Sequence, residues 1–448
     1  MTAQAELAET PISLPPTQRI TLPNGLTLVI AERKGLPLVA ARLELAVGSA
    51  HEPAAKTGLA ELTVQLLRRG TRKYTAEALD AAVEQVGGQL GVGVDVDSTA
   101  LSVSLPSEHL PVALEVLAEL CQRPRFLPKE LTMAKRRVLA GLANQLDDPS
   151  AVADVAANLY SLPNHPYGRP GSGFSRTVRT LSRADVQGFW ARAFAPEVAS
   201  IFVVGDLGGC DVARLVKRHF GAWARRAPAF PALPAVPPPQ GQRVIVVDKP
   251  DATQTQLRLV GAGIARKDPA SFACLLAASV LGGGFTSRLM EEIRVNRGLS
   301  YGVSARFASF RQGGLFEIST FTKNETAALT VDVARQVTAA LAQEGPRAQE
   351  LADTQTYVRG LYPLKLETNE QIARTLADLH LYDLPLDHVS RFRERVGAVT
   401  PREVRAAARA HFPVERFSLV CVGPAKHLKK ALAPLGVPVQ VKALSALA

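Results

Sequence analysis

Glu61, Val64 and Gln65 stand at i, i+3 and i+4 in the stretch "GLAELTVQLLRRGT" (58–71). Leu59, Leu62, Leu66 and Leu67 recur there at roughly helical spacing between Gly58 and Gly70, which predicts a short helix with one packed face. Residues at i, i+3 and i+4 point the same way. On such a face two imidazoles and a carboxylate would hold a metal ion and activate its bound water. Here only Glu61 is a competent ligand. Gln65 is a weak neutral donor, and Val64 cannot take a proton from water. Zinc hydrolysis needs about three N, O or S donors and an open coordination position. The triplet does not supply them, and Glu61 reads as a solvent-facing or interface charge.

Other nucleophile and ligand patterns are weaker. The histidines (His51, His109, His165, His219, His380, His388, His411 and His427) form no His-x-x-x-His pair, and "HEPAA" at His51 lacks a second His. His380 and His388 flank "LYDLPLD" and read as surface residues, while His165 in "LPNHPYGRP" reads as part of a structural turn. No Gly-x-Ser-x-Gly elbow occurs. Cys121, Cys210, Cys274 and Cys421 are scattered and read as buried thiols of a reducing compartment. The "LGGG" at 281–284 lacks the Gly-Lys-Ser/Thr of a phosphate loop, and better suits a turn that a peptide backbone can approach closely.

The elements that must position these residues form two related halves. At 448 residues, with 47% apolar and 21% charged content, the chain can bury a large core in two or three domains. The net charge of +11 is dispersed among acidic residues without a nucleic-acid motif, so no nucleic-acid partner is expected. No apolar run is long enough to span a membrane, and the first residues carry no secretory pattern. A cytoplasmic location is therefore expected. "APAFPALPAVPPPQ" (227–240) is a proline-rich, semi-rigid linker. On either side, "SRADVQGFWARAFAPEVASIFVVG" (182–205) aligns without gaps to "TPREVRAAARAHFPVERFSLVCVG" (400–423) at an offset of 218. That is a domain duplication, with boundaries expected at 17–226, 227–242 for the linker, and 243–438.

Within the first half, "RITLPNGLTLVIAE" carries the Asn-Gly signal of a hairpin. A strand, the 58–67 helix, a second helix and the alternating strands "LGVGVDVD" and "TALSVSLP" follow, then a helical tract from about His109 to Ala157. Strands grouped before helices give an α+β class: two duplicated domains, each a mainly antiparallel sheet with helices on one face.

This order of pieces, over nearly the whole chain, resembles the pitrilysin/insulinase family of zinc peptidases, in the short bacterial form related to mitochondrial processing peptidase. "GSAHEPAAKTGLAELTVQLLRRGT" is similar to the family's metal segment, and "LGGGFTSRLMEEIRVNRGLSYGV" (281–303) to its most characteristic C-terminal segment. The resemblance places Glu61, Val64 and Gln65 where the family has His, catalytic Glu and His, and Gly141 where it has the third ligand. No cofactor is then expected on this chain. It also implies that Arg294 and Tyr301 reach substrate held at a zinc ion, the Arg gripping a carbonyl and the Tyr stabilising an oxyanion. Arg294 is expected near the last turn of a helix stopped by Gly298, and Tyr301 on the next strand. Without the resemblance, the same pair reads as a helix-end cation and strand packing. Phe285, Thr286 and Ser287 would line the approach. Some members pair two chains, one with zinc and one with the Arg/Tyr segment. The implied role is thus a non-catalytic, substrate-binding subunit of a heterodimeric zinc endopeptidase, with unfolded peptides as substrates and a homologous zinc-bearing partner. Two alternatives remain open: a scaffold protein derived from this family, and an unorthodox hydrolase using Glu61.

Overall fold

The computed structural model describes residues 11–224, 230–239, 241–412 and 414–448. The expected linker is thus seen over 230–239 and 241–242, its remaining positions lying outside the described residues. Two six-stranded sheets form the frame. The first holds β1 (Thr17–Thr21), β2 (Thr27–Glu32), β3 (Leu38–Leu45), β4 (Gln89–Val94), β5 (Thr99–Pro106) and β6 (Ala199–Gly205). The second holds β7 (Gln242–Asp248), β8 (Gln254–Ala262), β9 (Val303–Phe310), β10 (Gly313–Lys323), β11 (Phe417–Gly423) and β12 (Val439–Ala443). Their orders are β1-β2-β6-β3-β5-β4 and β12-β7-β11-β8-β10-β9. Apart from β1 and β12, the two run in the same sequence. Among the described residues only β2–β6, β7–β11 and β7–β12 are parallel; the other pairings are antiparallel, as expected for this class.

The duplication reaches local chemistry. Ser182 and Thr400 cap the helices Arg183–Ala193 and Pro401–His411, their side chains accepting from the N–H of Asp185 and Glu403. Each helix leads into a fully buried central strand, β6 or β11. The Asn-Gly hairpin forms between β1 and β2, with Gly25 at φ +93°. The expected tract at 109–157 resolves into three helices, Leu110–Gln122, Pro128–Asp147 and Pro149–Ser161. Asp148 ends the second and caps the third, so the prolines punctuate rather than extend the run.

Each sheet packs the helices of its own half on one face. The opposite face receives a helix from the other half, which the sequence patterns do not specify. Pro149–Ser161 lays Val152, Ala153 and Ala156 on Ile245, Val247, Val420 and Val422 of the second sheet. Asn369–Leu381 lays Ile372, Ala373, Leu376 and Ala377 on Val29, Ala31, Ala40, Phe202 and Val204 of the first.

The linker is stitched to both halves. Tyr167 donates its hydroxyl hydrogen to Asp97 at 2.7 Å, and the Arg311 N–H reaches the other Asp97 oxygen at 2.7 Å. The Val236 N–H donates to the Gln312 carbonyl at 2.9 Å. His165 accepts the Tyr167 N–H on Nδ1, which leaves Nε2–H to donate to the Pro234 carbonyl at 3.0 Å. His380 and His388 are half-buried against the rings of Phe202 and Phe272, not free on the surface. Cys121, Cys274 and Cys421 are buried free thiols, but Cys210 is exposed, because it sits in the turn before the Val212–Phe220 helix. Among the described residues no helix is long and apolar enough to cross a membrane.

Candidate functional site

The Leu59–Leu67 helix is packed nearly all round. Leu59, Ala60, Leu62, Thr63, Val64, Leu66 and Leu67 are buried, leaving Glu61 and Gln65 half-buried. Val64 belongs to the core, not to the polar face its spacing allowed. Gln65 turns its amide nitrogen onto Glu61 and donates at 2.7 Å, so the carboxylate is engaged by its own helix neighbour. Gly141 lies exposed on Pro128–Asp147, where a Cβ would meet nothing within 4 Å. The four positions bring together one carboxylate, one amide, one buried alkyl group and a bare backbone. That set does not fit a zinc ion. Among the described residues, no group of three or more His, Cys, Asp or Glu side chains is placed to hold a metal ion.

A carboxylate that sequence reasoning missed does hold this helix. Gly58, the cap residue, has φ +92° and no side chain to accept hydrogen bonds. Glu52 supplies the missing acceptor: its oxygens take the Gly58 N–H at 2.9 Å and the Ala60 N–H at 3.0 Å. Arg169 faces it and donates to its backbone carbonyl at 2.8 Å. Glu52 is only 3% exposed. Burial outweighs these favourable neighbours and raises its pKa to about 7. The available signal was a glycine where a helix needs a cap, with an acid a few residues upstream.

The C-terminal segment builds a different kind of site. After the Ser271–Gly282 helix, "GGFTS" turns into a π-helix over Met290–Asn296, not the α-helix the spacing suggests. Met290 and Ile293 anchor it in the core. Gly298 stops it at φ +59°, its N–H donating to the Arg294 carbonyl. Arg294 therefore projects from the last turn, half-buried. Tyr301 lies in the turn before β9 and not on the strand, because Gly298 bends the chain away before pairing begins. The Arg294 guanidinium sits between two aromatic rings, 5.3 Å from the Phe285 centroid and 4.8 Å from that of Tyr301. Phe285 is 78% exposed and Tyr301 77%. Their rings hold the guanidinium without neutralising it, which leaves its N–H fork able to meet a carbonyl or carboxylate.

Phe285, Arg294 and Tyr301 line a cavity of about 530 Å³, together with Gly282–Gly284, Thr320 and, from the first half, Ser150. None of Glu61, Val64, Gln65 or Gly141 lines it. Thr286 is exposed beside Phe285. Ser287 is buried and donates its hydroxyl hydrogen to the Gly284 carbonyl at 2.6 Å, so it shapes the turn. Arg288 holds the segment in place through a two-pronged contact with Glu350, both arms at 2.7 Å, and a third bond to the Gly345 carbonyl.

Comparison with known proteins bears on the family and the fold. The family profile described as insulinase (peptidase family M16) matches residues 28–165, and the peptidase M16 inactive domain profile matches 180–358. An uncharacterized zinc protease of Mycobacterium bovis is 28% identical over 411 residues, covering 91% of this chain and 93% of its own. A protein described as a non-peptidase homolog in Helicobacter pylori is 25% identical over 416 residues, covering 89% and 92%. The crystal structure of a peptidase M16 inactive domain from Pseudomonas fluorescens superposes with a TM-score of 0.85 at 29% identity, covering 91% of this chain and 98% of that one. With both halves matched, the chain belongs to the insulinase (M16) family of peptidases, as a member without the His-x-x-Glu-His residues of a zinc site.

Proposed function

We propose that this chain is the metal-free, substrate-gripping subunit of a two-chain zinc endopeptidase acting on extended, unfolded peptides. The observation that carries this is the Arg294 guanidinium, clamped by Phe285 and Tyr301 at the wall of an open cavity, in a chain whose metal positions hold no ligand set. A homologous partner would carry the zinc, which supplies a bound water of lowered pKa. On this chain, Arg294 would take a peptide carbonyl and the Tyr301 hydroxyl would donate to the oxygen on which charge develops. Peptide backbone pairing along an exposed strand edge would give broad sequence tolerance. The unpaired thiols support a reducing compartment such as the cytoplasm.

The test mixes the purified chain with a zinc-bearing relative from the same cell. Alone, the chain is expected to bind no stoichiometric zinc and to cleave nothing. In the mixture, Arg294→Ala or Tyr301→Phe should lower kcat/KM by about a hundredfold, the scale of losing one transition-state donor. Mutants that match wild type would overturn the role. Chelator-sensitive cleavage by the lone chain would overturn the metal-free reading and favour a hydrolase using Glu61. A stable assembly without peptidase activity would favour a scaffold.

A further inference from the structure

We infer that the Arg294 cleft continues into an apolar subsite, built on Phe285 and Tyr357 with Leu361 one turn further along the same helix face, that takes a large aliphatic or aromatic side chain of the bound peptide. The inference rests on the reading of that cleft as a peptide site. Tyr357 and Leu361 stand at i and i+4 on the helix Ala348–Leu361, so they share one face. Both are exposed, Tyr357 to 52%, and Leu364 continues the ridge one turn further on. Single exposed apolar residues need no explanation, but a contiguous set beside a cleft does.

The ridge and the cleft are continuous. A cavity of about 600 Å³ is lined by Tyr357, Thr354, Gly283, Gly284 and Phe285. The neighbouring cavity with Arg294 and Tyr301 shares Gly283, Gly284 and Phe285. Phe285 is thus the partition between them, with Arg294 stacked on its ring. The Tyr357 ring borders the Gly284 turn, where a Cβ would stand in ordinary contact with it at 3.9 Å. Arg288 fixes this spacing, because its fork to Glu350 ties the turn to the foot of the Tyr357 helix. The same fork neutralises Glu350, and Asp353 accepts from Gln349 at 2.8 Å. Glu291 and Arg347 put opposite charges on the remaining wall. A peptide whose carbonyl meets Arg294 would therefore carry a neighbouring side chain over Phe285 into this hollow. The continuity with the cleft favours a substrate side chain over a docking protein.

The test uses the full chain and three fluorescein-labelled unfolded peptides of equal length, with Phe, Ser or Lys at alternate positions. Fluorescence anisotropy should show the Phe peptide binding about tenfold tighter than the Ser peptide, the scale of burying one large apolar side chain. Tyr357→Ser combined with Leu361→Ser should erase that preference, and both positions are exposed enough to spare the fold. Arg294→Ala should weaken the Phe and Ser peptides alike. A preference that survives the double substitution would overturn the subsite while leaving the cleft. Equal binding by wild type and Arg294→Ala would overturn the peptide-site reading itself. Tightest binding of the Lys peptide would overturn the apolar assignment. Self-association that vanishes in the double variant would assign the ridge to a second copy instead, and no measurable binding of any peptide would overturn both readings.

Discussion

Glu52 carries the clearest consequence at the scale of a residue. Its pKa in the folded chain is about 7, against 4.5 for a free glutamate. The folded state therefore holds a proton that the unfolded state releases between those values. With more protons bound in the folded state, stability falls as pH rises through this window. The difference of two to three pH units corresponds to about 3 kcal/mol. Glu52→Gln keeps an oxygen acceptor for the Gly58 and Ala60 N–H groups but cannot ionise. Urea unfolding of wild type and variant, at pH 5 and pH 8, should show the wild type losing more stability on going to the higher pH. Parallel losses would mean that the N–H donors and Arg169 already hold Glu52 ionised. This residue was hidden in the sequence because a cap supplied from across a turn leaves no fixed spacing. The spacing put Glu61 and Gln65 on one helix face, where they meet, but it misplaced Val64, whose alkyl group packs into the core. The position of Arg294 at a helix end before the Gly298 stop was legible in its segment, but the turn position of Tyr301 and the aromatic clamp were not. Phe285 reaches Arg294 only because the Gly283–Gly284 turn folds back, a matter of three-dimensional path.

Among the elements, the exchanged helices decide how the halves are joined. Pro149–Ser161 and Asn369–Leu381 each have 13 residues. Their packed positions also correspond at an offset of 220, close to that of the repeat: Val152 with Ile372, Ala153 with Ala373, Ala156 with Leu376, Ala157 with Ala377. The pattern announces two packed helices but does not name the sheet each covers, since an apolar stripe fits any apolar face. Arg258 fastens the first crossing. It is 2% exposed on β8, and its Nε donates to Asp154 of the crossing helix at 2.7 Å while Nη2 reaches the Ser150 hydroxyl at 2.9 Å. Removing one partner of a buried pair costs about 3–5 kcal/mol. Asp154 is half-exposed and Arg258 keeps bonds to the Leu257 carbonyl and Ser150, so Asp154→Ala should cost less, about 2 kcal/mol by urea unfolding. A cost near zero would show that packing alone holds the helix.

For the whole molecule, the exchange means that neither sheet is covered on both faces by its own half. Without the second half, Val29, Ala31, Ala40, Phe202 and Val204 would lose the helix that buries them. Without the first, Ile245, Val247, Val420 and Val422 would lose theirs. Both interfaces are apolar, and exposing either costs the free energy of wetting that surface. The halves should therefore unfold together, although chains of this length commonly unfold domain by domain. The two tryptophans, Trp190 and Trp223, lie in the first half, so intrinsic fluorescence reports on that half while far-UV circular dichroism reports on both. Coincident urea transitions are expected from the two signals. A fluorescence transition that precedes the loss of circular dichroism would show independent halves and sink the coupling argument. The coupling bears on the proposed function as well. Halves that cannot separate without wetting two apolar faces cannot close on a peptide by hinging at the linker, which Pro234 and Val236 already fasten to both sides. A closed chamber around the substrate would then be made by a second chain docking opposite Arg294 and Tyr301. Single-turnover cleavage in the mixed complex should accordingly accelerate with the concentration of the zinc-bearing chain until every copy of this one is paired.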